Sequence, residues 1–221
     1  MSCLFMNNLK KTRFYDWSIE EIDKIKKENI KPILGLHVCC APCALYPILF
    51  LKDTFKIVLL YDNSNIYPFS EYQKRKEELE GQIKRLKEEG LDISYVEFLY
   101  EEEEYIKDLL PLKEEKEGGK RCFLCYEKRM RECYRYCSEH NFAYFTTVMS
   151  ISRQKNSEKI NEIGAKLEKE FPNTKYFYSD FKKKGGDDYK RILVEKYHLY
   201  NQLYCGCRFS YEAYLKKEEH K

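Results

Sequence analysis

Short, largely apolar runs recur along this chain at 33–38, 55–61, 93–98, 143–148 and 175–178, and each reads as a strand. Between them lie longer stretches in which charged and apolar residues mix at helical spacing. These predict helices at about 41–52, 71–89, 126–141 and 157–171. Pro42 suits the first turn of its helix, Ser70 caps the second and Gly90 closes it. Strands alternating with helices predict an α/β chain, a Rossmann-like three-layer fold with a mainly parallel sheet. Ligands of such sheets bind beyond the carboxyl ends of the strands. That places Cys39 after the first strand, Asp62 after the second and Met149-Ser150 after the fourth.

The organisation is simple. Residues 1–31 form an N-terminal extension, in which Ser18-Ile19-Glu20-Glu21 reads as a capping box opening a helix to about Glu28. Residues 32–215 form a single α/β domain that carries a Cys-rich, metal-binding helical region, and 216–221 form a charged tail. The stretches 101–104 and 113–120 are charged connectors. No apolar run approaches the roughly 20 residues of a membrane span. The apolar-then-basic order of the first residues is the reverse of a secretory signal, so a cytoplasmic location is expected; a monomer is expected as well.

Charge is uneven. The net value is +3, but residues 1–110 hold 16 basic against 20 acidic side chains, whereas 120–210 hold 19 against 11. A polyanion would meet the second half.

Ten cysteines are the stronger signal. In a reducing compartment clustered thiols bind metal or do redox chemistry. Seven fall in three groups: Cys39-Cys40-Ala41-Pro42-Cys43, Cys122-Phe123-Leu124-Cys125 and Cys205-Gly206-Cys207. The first sits where a strand meets a helix N-terminus, which favours thiolates. The Gly of the third permits a tight turn that faces both sulfurs one way. Cys133 and Cys137, at i and i+4 on one helix, read as small buried hydrophobes, and Cys3 stands apart. His37, His140, His198 and His220 are scattered, without finger spacing. A [4Fe–4S] cluster takes four thiolates, so seven leave either a second metal or a reactive thiol pair.

The segments HVCCAPC, NSNIYPFSEYQKR, RCFLCYEKRM, FTTVMSISRQKN and YCGCRFS occur in this order over roughly residues 33–212. This pattern resembles the QueH family of epoxyqueuosine reductases. The resemblance implies reduction of the epoxide on the cyclopentane ring of epoxyqueuosine, at the wobble position of tRNA, in the last step of queuosine formation. It also implies a [4Fe–4S] cluster beside a mononuclear iron, with Cys39, Cys40, Cys122, Cys125, Cys205 and Cys207 as cofactor ligands. Cys43 joins them as a metal ligand and the catalytic candidate; some family members have Asp there. The sequence departs from the family at Asp62-Asn63-Ser64-Asn65, where Asn-Pro-Asn is more common.

On this reading the cluster relays electrons and the lone iron, as a Lewis acid, activates the epoxide. An electron donor of unknown identity is a required partner. For tRNA the candidate contacts are Lys120, Arg121, Arg129, Arg153, Lys155, Lys182, Lys183, Lys184, Arg191 and Arg208. The run 181–186, with two glycines, reads as a flexible basic loop, and Tyr67, Phe69 and Tyr72 could stack on the modified base. Two other classes compete: a zinc-stabilised RNA-binding module and a thiol–disulfide oxidoreductase. A brown colour with iron and sulfide separates the first reading from both.

Overall fold

The computed structural model describes residues 13–219, and in it the five apolar runs form one all-parallel sheet of order β3-β2-β1-β4-β5. Its strands are β1 (Ile33–His37), β2 (Lys56–Tyr61), β3 (Ile93–Glu97), β4 (Tyr144–Thr147) and β5 (Lys175–Tyr176). The helices are α1 (Phe14–Lys27), α2 (Ala41–Leu51), α3 (Phe69–Glu88), α4 (Glu102–Lys107), α5 (Lys120–Glu139), α6 (Ser157–Glu170), α7 (Gly186–Lys196) and α8 (Arg208–Glu218).

Side-chain alternation along the strands makes the three layers. Leu34, Leu36, Ile57, Leu59 and Tyr61 face one side, with Ile22 and Ile25 of α1, Ile48 of α2, Leu79 and Ile83 of α3 and Leu193 of α7. Leu60, Phe145 and Tyr176 face the other, with Met130, Cys133, Tyr134 and Cys137 of α5 and Ile160, Ile163 and Leu167 of α6. The residues set apart as an extension thus supply a helix to the first layer.

Strand order reverses between β1 and β4. The chain runs outward through β2 and β3, then returns to pair β4 with β1, Leu36 opposite Thr146. The connections after β1 and β4 therefore diverge and leave a crevice at their carboxyl ends. His37 ties the two ends together, its Nδ1 lying 2.7 Å from Thr147 Oγ1.

Four local readings need correction. Ser18 lies inside α1 rather than at its cap, because its hydroxyl donates to the Tyr15 carbonyl at 2.6 Å. Helix α5 starts at Lys120, six residues early, so Cys122 and Cys125 stand in its first turns. The run 181–186 is a packed turn leading into α7. Phe181 is buried, Gly185 takes φ +83°, and a Cβ on Gly186 would lie 1.9 Å from the Phe181 carbonyl oxygen. The glycines serve close approach there, not mobility. Finally, α8 crosses residue 215 and runs to Glu218.

Gly35 shows how tightly α5 sits on β1. A Cβ there would meet Cys137 Sγ at 2.2 Å and Leu60 Cδ1 at 3.1 Å. Gly35→Ala should cost roughly 2–3 kcal/mol in chemical denaturation, and adding Cys137→Ala should return most of it. Unchanged stability in the single variant would mean that Cys137 is not seated on β1.

Candidate metal centre

The Cys39–Cys43 segment occupies the crevice. Strand β1 ends at His37, the chain stays extended through Cys40 (φ −173°, ψ 159°), and α2 begins at Ala41 with Pro42 in its first turn. All three thiols are buried at this helix N-terminus. Their sulfurs lie within 4.8 Å of one another, the only such ligand group among the described residues. Hydrogen bonds from Cys39 and Cys40, against the cost of burial and with help from Lys190 and Lys155, hold the Cys43 thiol well below its usual range. Cys40 is pushed well up by its bonds to Cys39 and Cys43 and by burial. Cys39 is pushed up to about 11: its bond with Cys40 lowers it, but the bond to Cys43 and burial outweigh that. Three buried thiols in mutual contact are soft donors that a thiophilic cation can bind by displacing their protons. Lys190 Nζ, from α7, lies 3.8 Å from Cys43 Sγ, and Gln202 Nε2 donates to Cys40 Sγ at 3.2 Å.

Four further thiols form a looser group. Cys122 accepts from the Gly118 N–H at 3.2 Å, Cys125 from the Tyr105 hydroxyl at 3.3 Å, and Cys207, the cap residue of α8, from the Ser210 N–H at 3.4 Å. Burial raises Cys122, and the charges of Cys205 and Cys125 add to it. Burial also pushes Cys207 up to about 11, again with Cys205 and Cys125 contributing. The four thiols therefore share one electrostatic neighbourhood. The Cys205–Cys207 loop is held from α3: Arg75 pairs with Glu71 at 2.7 Å and donates to the carbonyls of Cys205 (3.2 Å) and Tyr204 (3.3 Å). Gly206 takes φ +121°, and a Cβ there would lie 2.7 Å from Arg75 Nη1. Tyr67 N–H closes the loop by donating to the Gly206 carbonyl at 2.7 Å.

Two cations face both groups. Arg129 of α5 is buried among Cys125, Cys39 and Cys205; burial disfavours its charge, and those thiols raise its pKa on balance. Half-buried Lys155, on the loop after β4, is likewise penalised by desolvation and held charged by Cys205, Cys39 and Cys43. Soft thiol donors in two groups, with the buried Arg129, its Nε unpartnered, and the half-buried Lys155 beside them, fit a negatively charged, thiolate-ligated metal centre. Nearby, burial pushes the Asp62 carboxyl up to about 7 against the pull of Arg129, and its carbonyl lies 3.3 Å from His37 Nε2. Burial, then Arg129, holds His37 neutral, well below its usual range.

The seven grouped cysteines come to this end of the sheet, whereas Cys133 and Cys137 point into the layer between α5 and the sheet. Cys3 lies outside the described residues. Two of the cations expected on an outer face are inside: Arg129, and Arg121, which donates to the Lys113 carbonyl at 2.6 Å and lies over the Phe209 ring. Lys182 is spent on the carbonyls of Ser150 and Lys155, and Arg208 on Glu102. Lys120, Arg153, Lys183, Lys184 and Arg191 are exposed. Tyr72 is buried, with its hydroxyl on Glu97, and is closed to a stacking base; Phe69 is exposed and Tyr67 half-buried. Sequence reasoning missed Arg75, Lys190, Gln202 and Tyr105. Only Arg75 carried a signal, its place in the SEYQKR segment.

Comparison with known proteins identifies the family. The family model described as epoxyqueuosine reductase QueH matches residues 34–213, a span that takes in all seven grouped cysteines. Proteins named epoxyqueuosine reductase QueH are similar along most of the chain. The one from Streptococcus pyogenes is 35% identical over 89% of this chain and 77% of its own length. Those from Staphylococcus aureus (35%, over 86% and 80%) and Thermotoga maritima (31%, over 79% and 88%) are comparable. The chain belongs to the QueH family of epoxyqueuosine reductases.

Proposed function

We propose that this chain reduces epoxyqueuosine in tRNA to queuosine, with a [4Fe–4S] cluster on Cys122, Cys125, Cys205 and Cys207 and a single iron on Cys39, Cys40 and Cys43. The observation that carries this reading is the division of seven thiols into a compact three and a wider four around shared cations. Four thiolates are the number a four-iron cluster takes, and its bulk calls for ligands spread wider than those of one ion. Three leave an ion one position short of four.

The reaction breaks both C–O bonds of the epoxide, forms a C=C bond and releases the oxygen as water, consuming two electrons and two protons. The metal centre, when bound, would pass in the donor's electrons and draw negative charge off the departing oxygen. The protein's part is to keep the site dry and cationic. The buried Cys39–Cys43 segment excludes water, and Lys155 and Lys190 set ammonium groups beside the thiols, where they favour negative charge. Lys183, Lys184, Arg153 and Arg191, exposed on and beside the turn into α7, would meet tRNA phosphates. Phe69 is open to a base, whereas the Tyr67 ring is covered by Arg208 and Tyr211. No helix of the described residues is long and apolar enough to cross a membrane.

Two outcomes test the assignment. In chain purified anaerobically, Cys122→Ser or Cys205→Ser should lose most iron and sulfide, because a hydroxyl is a poor ligand for a soft site. Cys43→Ala should keep the sulfide, lose about one iron per chain and most conversion of epoxyqueuosine, and Cys43→Asp should retain measurable turnover. Full iron and sulfide in the Cys122 and Cys205 variants would overturn the cluster site, and normal turnover in Cys43→Ala would make that thiol a bystander. A Lys183→Ala, Lys184→Ala double change should weaken tRNA binding and lower the slope of log affinity against log salt by about 1.4–1.8, with iron unchanged. An unaltered slope would move the tRNA face elsewhere.

A further inference from the structure

Arg75, Arg121 and Arg129 are all buried, at 2, 7 and 2% exposure, and two of them are satisfied. Arg75 has a carboxylate at 2.7 Å and two carbonyls. Arg121 has two carbonyls and a ring face. Arg129 has neither kind of partner. Its Nη2 donates to the sulfur of Met149 at 2.8 Å, its Nη1 reaches Asn63 Oδ1 at 3.4 Å, and its Nε has no partner. No carboxylate among the described residues comes within 4.0 Å of it; Asp62, the acid within its electrostatic reach, is itself buried. A buried guanidinium served this poorly destabilises the fold unless an anion completes its shell. Around it stand the thiols Cys125, Cys39 and Cys205, one from each cysteine segment, together with the Tyr105 hydroxyl and the Asp62 carboxyl.

From this we infer that Arg129 is a positioning residue, the internal counter-ion of the metal centre. Its unpartnered Nε–H is left to serve a sulfur anion of the loaded site, and its fixed charge makes the centre easier to reduce. Lys155 is the second cation of the same shell. The inference rests on the reading that these cysteines bind an iron–sulfur centre. It follows from how such centres are tuned: net charge and hydrogen bonds to sulfur set the potential. Withdrawing a nearby positive charge disfavours the added electron and moves the potential down. Asn63, whose Nδ2 donates to the Val38 carbonyl at 2.8 Å, and Met149 on the turn after β4 fix the plane of the guanidinium without neutralising it.

The test compares Arg129→Met, Arg129→Lys and Asp62→Asn with the parent chain, loaded anaerobically with iron and sulfide. In Arg129→Met the cluster's one-electron midpoint should fall by a tenfold change in the reduction equilibrium, about 59 mV, while Arg129→Lys keeps most of the parental value. Metal-free chain gives the second readout. Arg129→Met should melt no lower than the parent when no metal is present, since the charge it removes had no partner, and a purely structural arginine would show a clear fall. Failure of Arg129→Met to take up sulfide, with its metal-free fold intact and loading restored by Arg129→Lys, supports the inference equally. An unchanged midpoint in Arg129→Met, or a metal-free chain that melts well below the parent, overturns it. So does a metal-free Asp62→Asn chain that melts far lower than the parent only while Arg129 is present, because Asp62 would then be the counter-ion. If the parent itself takes up no iron or sulfide, the fault lies with the proposed function, and the metal-free comparison still decides whether Arg129 is paired within the protein.

Discussion

Seven thiols drawn from three distant stretches of chain meet at one end of a parallel sheet, and their mutual repulsion when ionised is the constraint the surrounding structure answers. Thiols packed against one another in a dry site cannot all become thiolates without positive charge nearby. The protein supplies that charge from four directions: Arg129 from α5, Lys155 from the loop after β4, Lys190 from α7 and Arg75 from α3, beside Cys40 and Cys39. Arg75 has a second task. It also pairs with Glu71 and gives its remaining donors to backbone carbonyls, so it sets the shape of the Cys205–Cys207 loop.

The parallel sheet makes this convergence possible. Its order reverses beside β1, so the connections after β1 and β4 part and open a crevice that α2 enters with its N-terminus. The second group of cysteines reaches the same end because α5 begins early, at Lys120, and the third because the loop at 204–207 is joined to Tyr67 and Arg75. Arg75, at the end of SEYQKR, joins that segment to YCGCRFS through the carbonyls of Tyr204 and Cys205.

The sheet and its main helices were legible in the sequence because buried parallel strands are continuous apolar runs, a signal that needs no tertiary information. The three cysteine groups were legible too, since their spacing is local. Hidden were the features decided by distant contacts. Gly185 and Gly186 suggested mobility, yet the Phe181 carbonyl and the Tyr46 ring occupy the space a side chain would need at Gly186. Arg129 and Lys155 counted as surface charge, because a net charge does not say which way a side chain points. The separation of Cys39, Cys40 and Cys43 from the other four thiols depends on how β1, α5 and α8 meet, and no spacing encodes that.

The central claim is that one chain holds two distinct iron environments on two sets of thiols. Mössbauer spectroscopy of chain loaded anaerobically with iron-57 and sulfide tests it most directly. The expected spectrum shows a four-iron cluster together with a separate minority signal from a single iron. Iron confined to one environment, or a colourless protein that retains only zinc, would contradict the claim.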